Sequence, residues 1–366
     1  MNDPTSIMAV AAHSEKLANE LLACGKNVLL CSDDEAVILN IADMKRIPAG
    51  GRETAEFFDD LDVAEYIEGK GVYRVYENGS ADNTLILSEK CNSSCVMCPY
   101  SDHFRRNAAG VSADRILEII RYISSYPGHL TITGGEPTLI GDGLFDIMSL
   151  LRERFPETSY LFLTNGRIFS CDDYFRRFAE TLPDDICFAI PIYGYDPETH
   201  DAITRAEGSF TEAVRGMQKL MNAGIRVEIR IVVSKLNCEN LSAIAEFICR
   251  YLGRAAVVNF VGLEMCGNAA RNRELVWIDY PEAFSHMKNA IDILCRDNIN
   301  TGIYNFPVCS VEKEYRNLCR QSISGYKIVY YEQCGSCAVR EICGGIFRST
   351  FLLEKPEVRP VVLFSH

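Results

Sequence analysis

The sequence predicts an α/β protein: a parallel array of alternating strands and helices, preceded by a smaller α/β unit and followed by a short cysteine-bearing segment. Three observations carry this. Between residues 83 and 305, short apolar runs rich in β-branched residues alternate with stretches of helical spacing. The first 82 residues show shorter strands, one helix and Gly/Pro turns. Of the sixteen cysteines, half fall at 91–98 and 309–343, in two local groups.

In residues 1–82, Ser14 to Leu22 has helical spacing, and Asn27–Cys31 and Ala36–Ile41 read as strands. Pro48-Ala-Gly-Gly51 reads as a turn. Val72-Tyr-Arg-Val-Tyr76 alternates like a half-buried strand ended by Asn78-Gly79. In residues 83–305 the strands are Thr84–Leu87, Leu130–Thr133, Tyr160–Leu163, Ile186–Ile190, Val227–Val233 and Val257–Val261. Helices are expected at Ala113–Ser124, Phe145–Arg154, Phe210–Asn222 and Leu241–Tyr251, then Pro281–Cys295, with a last strand near Thr301–Tyr304. Strands this apolar belong to a sheet covered on both faces, either a barrel or a doubly wound sheet. Residues 306–366 are irregular.

At 366 residues, two or three domains are expected. Apolar residues make up 48%, enough for an ordinary core. A formal charge of −13 argues against a basic nucleic-acid face. No apolar run reaches the roughly 18 residues of a membrane helix. Met1-Asn2-Asp3-Pro4 lacks the basic flank and apolar run of a signal peptide, so a cytoplasmic location is expected. There, locally spaced cysteines favour metal or cluster ligation over disulfides.

The first group is Cys91-Asn-Ser-Ser-Cys95-Val-Met-Cys98. Three thiolates follow one strand's C-terminal end, the active face of a parallel α/β barrel. Cubane clusters are normally held by four cysteines, so three leave one iron open to a substrate. A zinc ion closed by His103 is the alternative. The spacing resembles the hallmark of the radical S-adenosylmethionine (SAM) superfamily. That resemblance implies a partial (β/α)6 TIM-like barrel and a 4Fe–4S cluster on Cys91, Cys95 and Cys98. It also implies SAM on the fourth iron, cleaved to a 5′-deoxyadenosyl radical that abstracts hydrogen.

The second strand ends in Thr133-Gly134-Gly135-Glu136-Pro137. Paired glycines let backbone approach a ligand, and Glu136 offers charge to an ammonium group. The segment resembles the family's GGEP motif, which implies cofactor contacts from Gly134, Gly135 and Glu136. Thr164-Asn165-Gly166 is similar to the family's TNG segment and implies contacts from Thr164 and Asn165. Arg230, inside an apolar strand, needs a partner: a cofactor carboxylate or an internal Glu. Leu263 stands where relatives place backbone against adenine. His200 has a structural and a functional reading, and Tyr193 and Cys266 are candidate radical-quenching residues.

The tail carries Cys309, then Cys334-x2-Cys337-x5-Cys343-Gly-Gly. This resembles the auxiliary-cluster segment of SPASM and Twitch extensions, with Phe347 where the longer pattern adds a cysteine. One auxiliary 4Fe–4S cluster on Cys309, Cys334, Cys337 and Cys343 is expected. Cys319 rivals Cys309, and a four-cysteine zinc site is the alternative. Together with Pro191–Gly194, Val227–Arg230, Gly262–Met265 and Ser322–Lys327, the tail is similar to HxsC-type radical maturases of the His-Xaa-Ser peptide system. That resemblance implies a ribosomally made peptide substrate, a second radical SAM maturase as partner, and an electron donor such as a flavodoxin or ferredoxin. The competing functions are a radical enzyme acting on a nucleoside or other small molecule, and a non-catalytic zinc or electron-transfer protein. The N-terminal unit is a candidate peptide dock through strand addition.

Overall fold

The computed structural model describes residues 6–108 and 110–362. The Met1–Pro4 segment, read above for a targeting signal, lies outside the described residues. The N-terminal unit is one six-stranded sheet: β1 (Ser6–Ala12), β2 (Val28–Cys31), β3 (Glu35–Asn40), β4 (Lys45–Gly51), β5 (Val63–Ile67) and β6 (Gly71–Tyr76), in the order β4-β3-β2-β1-β5-β6. Only β1 and β2 pair in parallel, so they need a crossover. The helix Glu15–Ala23 supplies it, starting where the Ser14 side chain accepts from the Leu17 N–H. Pro48–Gly51, expected as a turn, is instead the end of edge strand β4. An edge is where a sheet tolerates a residue that cannot donate.

The central sheet runs β7 (Thr84–Ser88), β8 (His129–Gly134), β9 (Ser159–Leu163), β10 (Ile186–Pro191), β11 (Arg226–Val232), β12 (Val257–Val261), β13 (Thr301–Tyr304) and β14 (Cys319–Arg320). Each strand pairs in parallel with the next, in sequence order throughout. A doubly wound sheet reverses strand order at a switch point. None occurs here, so the array is wound in one direction, as a barrel is. Its ends, β7 and β14, are not paired with each other, which leaves the barrel partial. β13 is the closing strand expected near Thr301–Tyr304, and β14 extends the array by one strand more.

Strand periodicity separates the two faces. Ile132, Phe162, Phe188, Ile229 and Phe260 are fully buried beneath helices that include Ala113–Tyr122, Gly143–Arg154, Ser209–Asn222, Leu241–Tyr251 and Tyr280–Arg296. Each such side chain contributes about 1.5–3 kcal/mol of burial. The opposite face carries Thr131, Glu228, Arg230, Asn259 and Tyr304. Consequently the apolar core lies between sheet and helices, and polar chemistry is confined to the concave side and the strand ends.

The N-terminal unit rests on the helix Ala113–Tyr122. The Arg115 guanidinium grips the buried Glu65 carboxylate, Nη2 to Oε2 2.6 Å, and Asn27 Nδ2 donates to the Tyr122 hydroxyl at 3.1 Å. After residue 305 the chain forms short 3-10 turns, an antiparallel pair (Ile328–Val329 with Ile346–Phe347) and the helix Arg348–Glu354. Among the described residues no helix is long and apolar enough to cross a membrane, and no cysteine is in a disulfide.

Candidate active site

β7 ends at Ser88, and three residues later the chain enters the loop Cys91–Cys98 at the C-terminal mouth of the sheet. Five of that loop's eight carbonyls have an assigned donor among the described residues. Arg167 Nη1 reaches Asn92 O at 2.8 Å, and Arg105 Nη1 reaches Ser93 O at 2.8 Å. Asn268 Nδ2 donates to Cys95 O at 3.1 Å, its backbone N–H donates to Cys98 O at 2.9 Å, and Asn272 Nδ2 donates to Val96 O at 2.8 Å. In turn the loop's own N–H groups at Ser94 and Val96 donate to Thr204 O and Ile203 O. Val96 and Met97 face inward, packed with Tyr193, Leu263 and Met265. Sequence reasoning missed Arg105, Arg167, Asn268 and Asn272.

Burial raises all three thiols, Cys95 to about 12. Cys91 and Cys98 each add to the Cys95 shift, while Arg105 pulls all three back. Buried thiols of this kind ionise when something cationic shares their charge, as a metal does. Among the described residues no three His, Cys, Asp or Glu side chains gather at the spacing of a single metal ion. His103, the candidate zinc ligand, is exposed.

Gly134 and Gly135 were expected to let the backbone approach a ligand closely. Their closest neighbours are protein instead. A Cβ on Gly134 would collide with the Ser88 carbonyl, and one on Gly135 with the Lys90 carbonyl. Gly135 N donates to Ser88 O at 2.6 Å and Glu136 N to Lys90 O at 2.7 Å. The glycines therefore let β8 press against the strand end that presents Cys91. Glu136 is fully buried. Its Oε1 accepts from the Thr138 N–H (3.2 Å), the Thr138 hydroxyl (2.7 Å) and the Thr164 hydroxyl (2.7 Å), and its Oε2 from the Asn165 N–H (2.8 Å). It thus joins the ends of β8 and β9 and leaves Oε2 with capacity for one more donor. Asn165 Nδ2 continues to Asn92 Oδ1 at 2.6 Å, so the TNG segment touches the cysteine loop itself.

The remaining candidates separate. Arg230 pairs with Glu228, Nε to Oε1 2.6 Å, the internal carboxylate that was the alternative to a cofactor. Leu263 is buried, and its carbonyl accepts from the Thr350 hydroxyl at 3.2 Å, engaged by the C-terminal helix. His200 is buried, with Nδ1 accepting from the Tyr193 N–H at 3.2 Å; burial lowers it to about 4, a structural role. Tyr193 is buried beside the cysteine loop, and burial, with a lesser part from the three cysteines, raises its hydroxyl. Cys266 lies near Cys98 and the Glu264–Lys327 pair, its Sγ directed to Pro99 O at 3.4 Å.

In the tail, Cys309, Cys334, Cys337 and Cys343 line one small cavity. Val329, Val339, Ile346 and Val358 make most of its other walls apolar. Backbone N–H groups already point at two of the sulfurs: Val308 and Gly345 at Cys343 Sγ (both 3.4 Å), and Val361 at Cys337 Sγ (3.3 Å). Cys319 is near Cys343 but does not line the cavity.

A one-way parallel half-barrel whose first strand delivers a three-thiol loop defines a class: α/β enzymes that hold an iron–sulfur cluster at the barrel mouth. Residues 85–248 match the Radical SAM superfamily, a superfamily of enzymes. Its members use a 4Fe–4S cluster and SAM. The chain is 27% identical over 223 residues to the mycofactocin maturase MftC of Mycolicibacterium smegmatis, covering 60% of this chain and 53% of that one. It is 26% identical over 187 residues to the AdoMet-dependent heme synthase of Nitratidesulfovibrio vulgaris, covering 50% and 49%. The chain therefore spans about half the length of these curated relatives. Its fold matches the solved structure of anSMEcpe with bound AdoMet and the Kp18Cys peptide, with TM-score 0.54 and 15% identity, over 76% of this chain and 91% of that one.

Proposed function

We propose that this chain is a peptide-modifying radical SAM maturase of the His-Xaa-Ser type. The observation that supports the radical chemistry is the three-thiol loop Cys91–Cys98 with Gly134–Glu136 pressed against it. Cys91, Cys95 and Cys98 would hold the 4Fe–4S cluster, which supplies the electron that cleaves SAM to a hydrogen-abstracting radical. Glu136, with its spare Oε2 lone pair, together with Gly134, Gly135, Thr164 and Asn165, would receive the cofactor's amino group. Arg230 would meet the cofactor carboxylate only by sharing its guanidinium with Glu228, which makes it the weakest member of that set. Val96, Met97 and Tyr193 exclude water on the inner side of the loop.

Cys309, Cys334, Cys337 and Cys343 would hold the auxiliary cluster, because a mostly apolar cavity with four converging thiols suits a fully ligated cubane. The peptide substrate rests on the maturase relative and on the likeness to HxsC-type sequences. Its partners would be a second radical maturase and a flavodoxin or ferredoxin donor in the cytoplasm. Docking of the peptide would use an edge of the N-terminal sheet, β4 or β6. Likeness to the heme synthase favours a second reading, a small-molecule substrate. Anaerobic incubation of the reconstituted protein with SAM, reductant and candidate peptides tests both. Release of 5′-deoxyadenosine with a peptide mass change supports the maturase. Release without any peptide change favours the small molecule, and no release at all overturns the radical reading.

A further inference from the structure

Two arginines hold consecutive carbonyls of the cysteine loop, but their surroundings differ. Arg167 is neutralised at its own Nε by Glu212 Oε2, 2.6 Å away and exposed to solvent. Its contact with Asn92 O is that of a brace. Arg105 is buried, at 7% exposure, and its Nη1 lies 2.8 Å from Ser93 O, midway between Cys91 and Cys95. The other end of its guanidinium, Nη2, meets Asp102. Asn268 holds that carboxylate beside the loop: its Nδ2 donates both to Asp102 Oδ1 at 2.9 Å and to Cys95 O at 3.1 Å, while the Asp102 N–H donates back to Asn268 Oδ1 at 3.2 Å. Both charges of the Arg105–Asp102 pair are thus fixed against the loop, Arg105 on the carbonyl between Cys91 and Cys95.

A one-electron reduction of a cluster on these thiolates adds one negative charge and no proton, the electron coming from a flavodoxin- or ferredoxin-class donor. A buried positive charge favours the reduced form and a nearby carboxylate opposes it. We infer that Arg105, oriented by Asp102 and Asn268, sets the reduction potential of the cluster at Cys91–Cys98 and so governs how readily the donor's electron enters. It is a positioning residue that acts through the cluster's charge. This rests on the functional reading above.

The test is a redox titration of anaerobically reconstituted full-length protein followed by electron paramagnetic resonance, with iron per chain measured alongside. The variants are Arg105→Gln, Arg105→Lys and Asp102→Asn. Arg105→Gln should lower the reduced-to-oxidised ratio at a fixed reductant poise about tenfold, which is about 59 mV for a one-electron couple. Arg105→Lys, which keeps the charge, should stay near wild type. Asp102→Asn, which removes the opposing charge, should shift the potential the other way. Opposite signs in the two charge-removing variants are the signature; a brace alone would not give them. Shifts of the same sign, or no shifts with iron intact, overturn the inference. Should Arg105→Gln fail to retain iron, Asp102→Asn decides: a positive shift supports the inference, and no shift or a negative one overturns it. If wild-type protein assembles no cluster, the functional reading itself fails, which is a distinct outcome.

Discussion

His200 gives a stability switch whose size follows from its surroundings. The imidazole is 2% exposed, and Nδ1 accepts the backbone N–H of Tyr193, so the neutral ring is the form that fits. Burial lowers its pKa from 6.5 to about 4. Between those values the unfolded chain binds a proton that the folded chain refuses, so stability rises with pH across the window and falls as pH drops through it. One pKa unit corresponds to 1.36 kcal/mol, so acidification from pH 7 to pH 5 should remove about 2 kcal/mol, and the loss should level off near about 3 kcal/mol below pH 4. Asn at position 200 presents an acceptor close to where Nδ1 stands and does not titrate. Anaerobic urea unfolding of wild type and His200→Asn, followed by Trp277 fluorescence at pH 7 and pH 5, isolates the effect, since every other titrating group is common to both. His200→Asn should lose about 2 kcal/mol less than wild type over that interval. Equal losses would show that the ring is not held neutral, and the structural role assigned to it would be wrong.

Gly135→Ala places a methyl against the Lys90 carbonyl, so it should push the strand end that presents Cys91 and reduce iron retention after reconstitution, with Gly128→Ala, whose Cβ meets nothing within 4 Å, as the neutral control. Phe178→Ala should cost about 3–5 kcal/mol in the same unfolding assay. Its ring is fully buried, stacked on Phe169 at 5.2 Å and edge-on to Phe162 and Phe188, so no small shift refills the space.

The barrel strands were legible because sheets covered on both faces write continuous apolar runs, as in Val227–Val233. The cysteine groups stood out because most of their members lie within a few residues of one another, Cys91 to Cys98 and Cys334 to Cys343. Strand β1, Ser6–Ala12, was not, since Met8-Ala-Val-Ala-Ala12 carries little β propensity and owes its conformation to burial between β2 and β5. The role of Gly134 and Gly135 was half legible: the residue type announces a close approach, but only the tertiary structure says that the partner is Ser88–Lys90. Arg105, Asn268 and Asn272 left no local signal, because each meets the cysteine loop through folding alone, Asn268 from 170 residues further along. Arg230 could have been resolved earlier. Glu228 lies two positions before it, and strand periodicity puts both on one face.

The choice between Cys309 and Cys319 shows where spacing stops being informative. Both precede Cys334 in the chain, and both stand at distances that a loop can close. Cys309 enters the cavity shared by Cys334, Cys337 and Cys343, and those three thiols, after burial, raise its pKa. Cys319 belongs to β14, the last strand of the central sheet, where its backbone pairs with Ile303 and only Cys343 among the cavity thiols bears on it. To reach the cavity it would have to leave that ladder, and a strand of two residues cannot release one without losing its pairing. Cys309→Ser should therefore lower iron bound at the tail site and its spectroscopic signal, while Cys319→Ser should leave both near wild type. The measurement belongs in a background of Cys91→Ala, Cys95→Ala and Cys98→Ala, which removes the first site so that all remaining iron reports on the second. Loss of iron in Cys319→Ser with retention in Cys309→Ser would mean that β14 opens to deliver its thiol, and the cavity would then need a different fourth ligand.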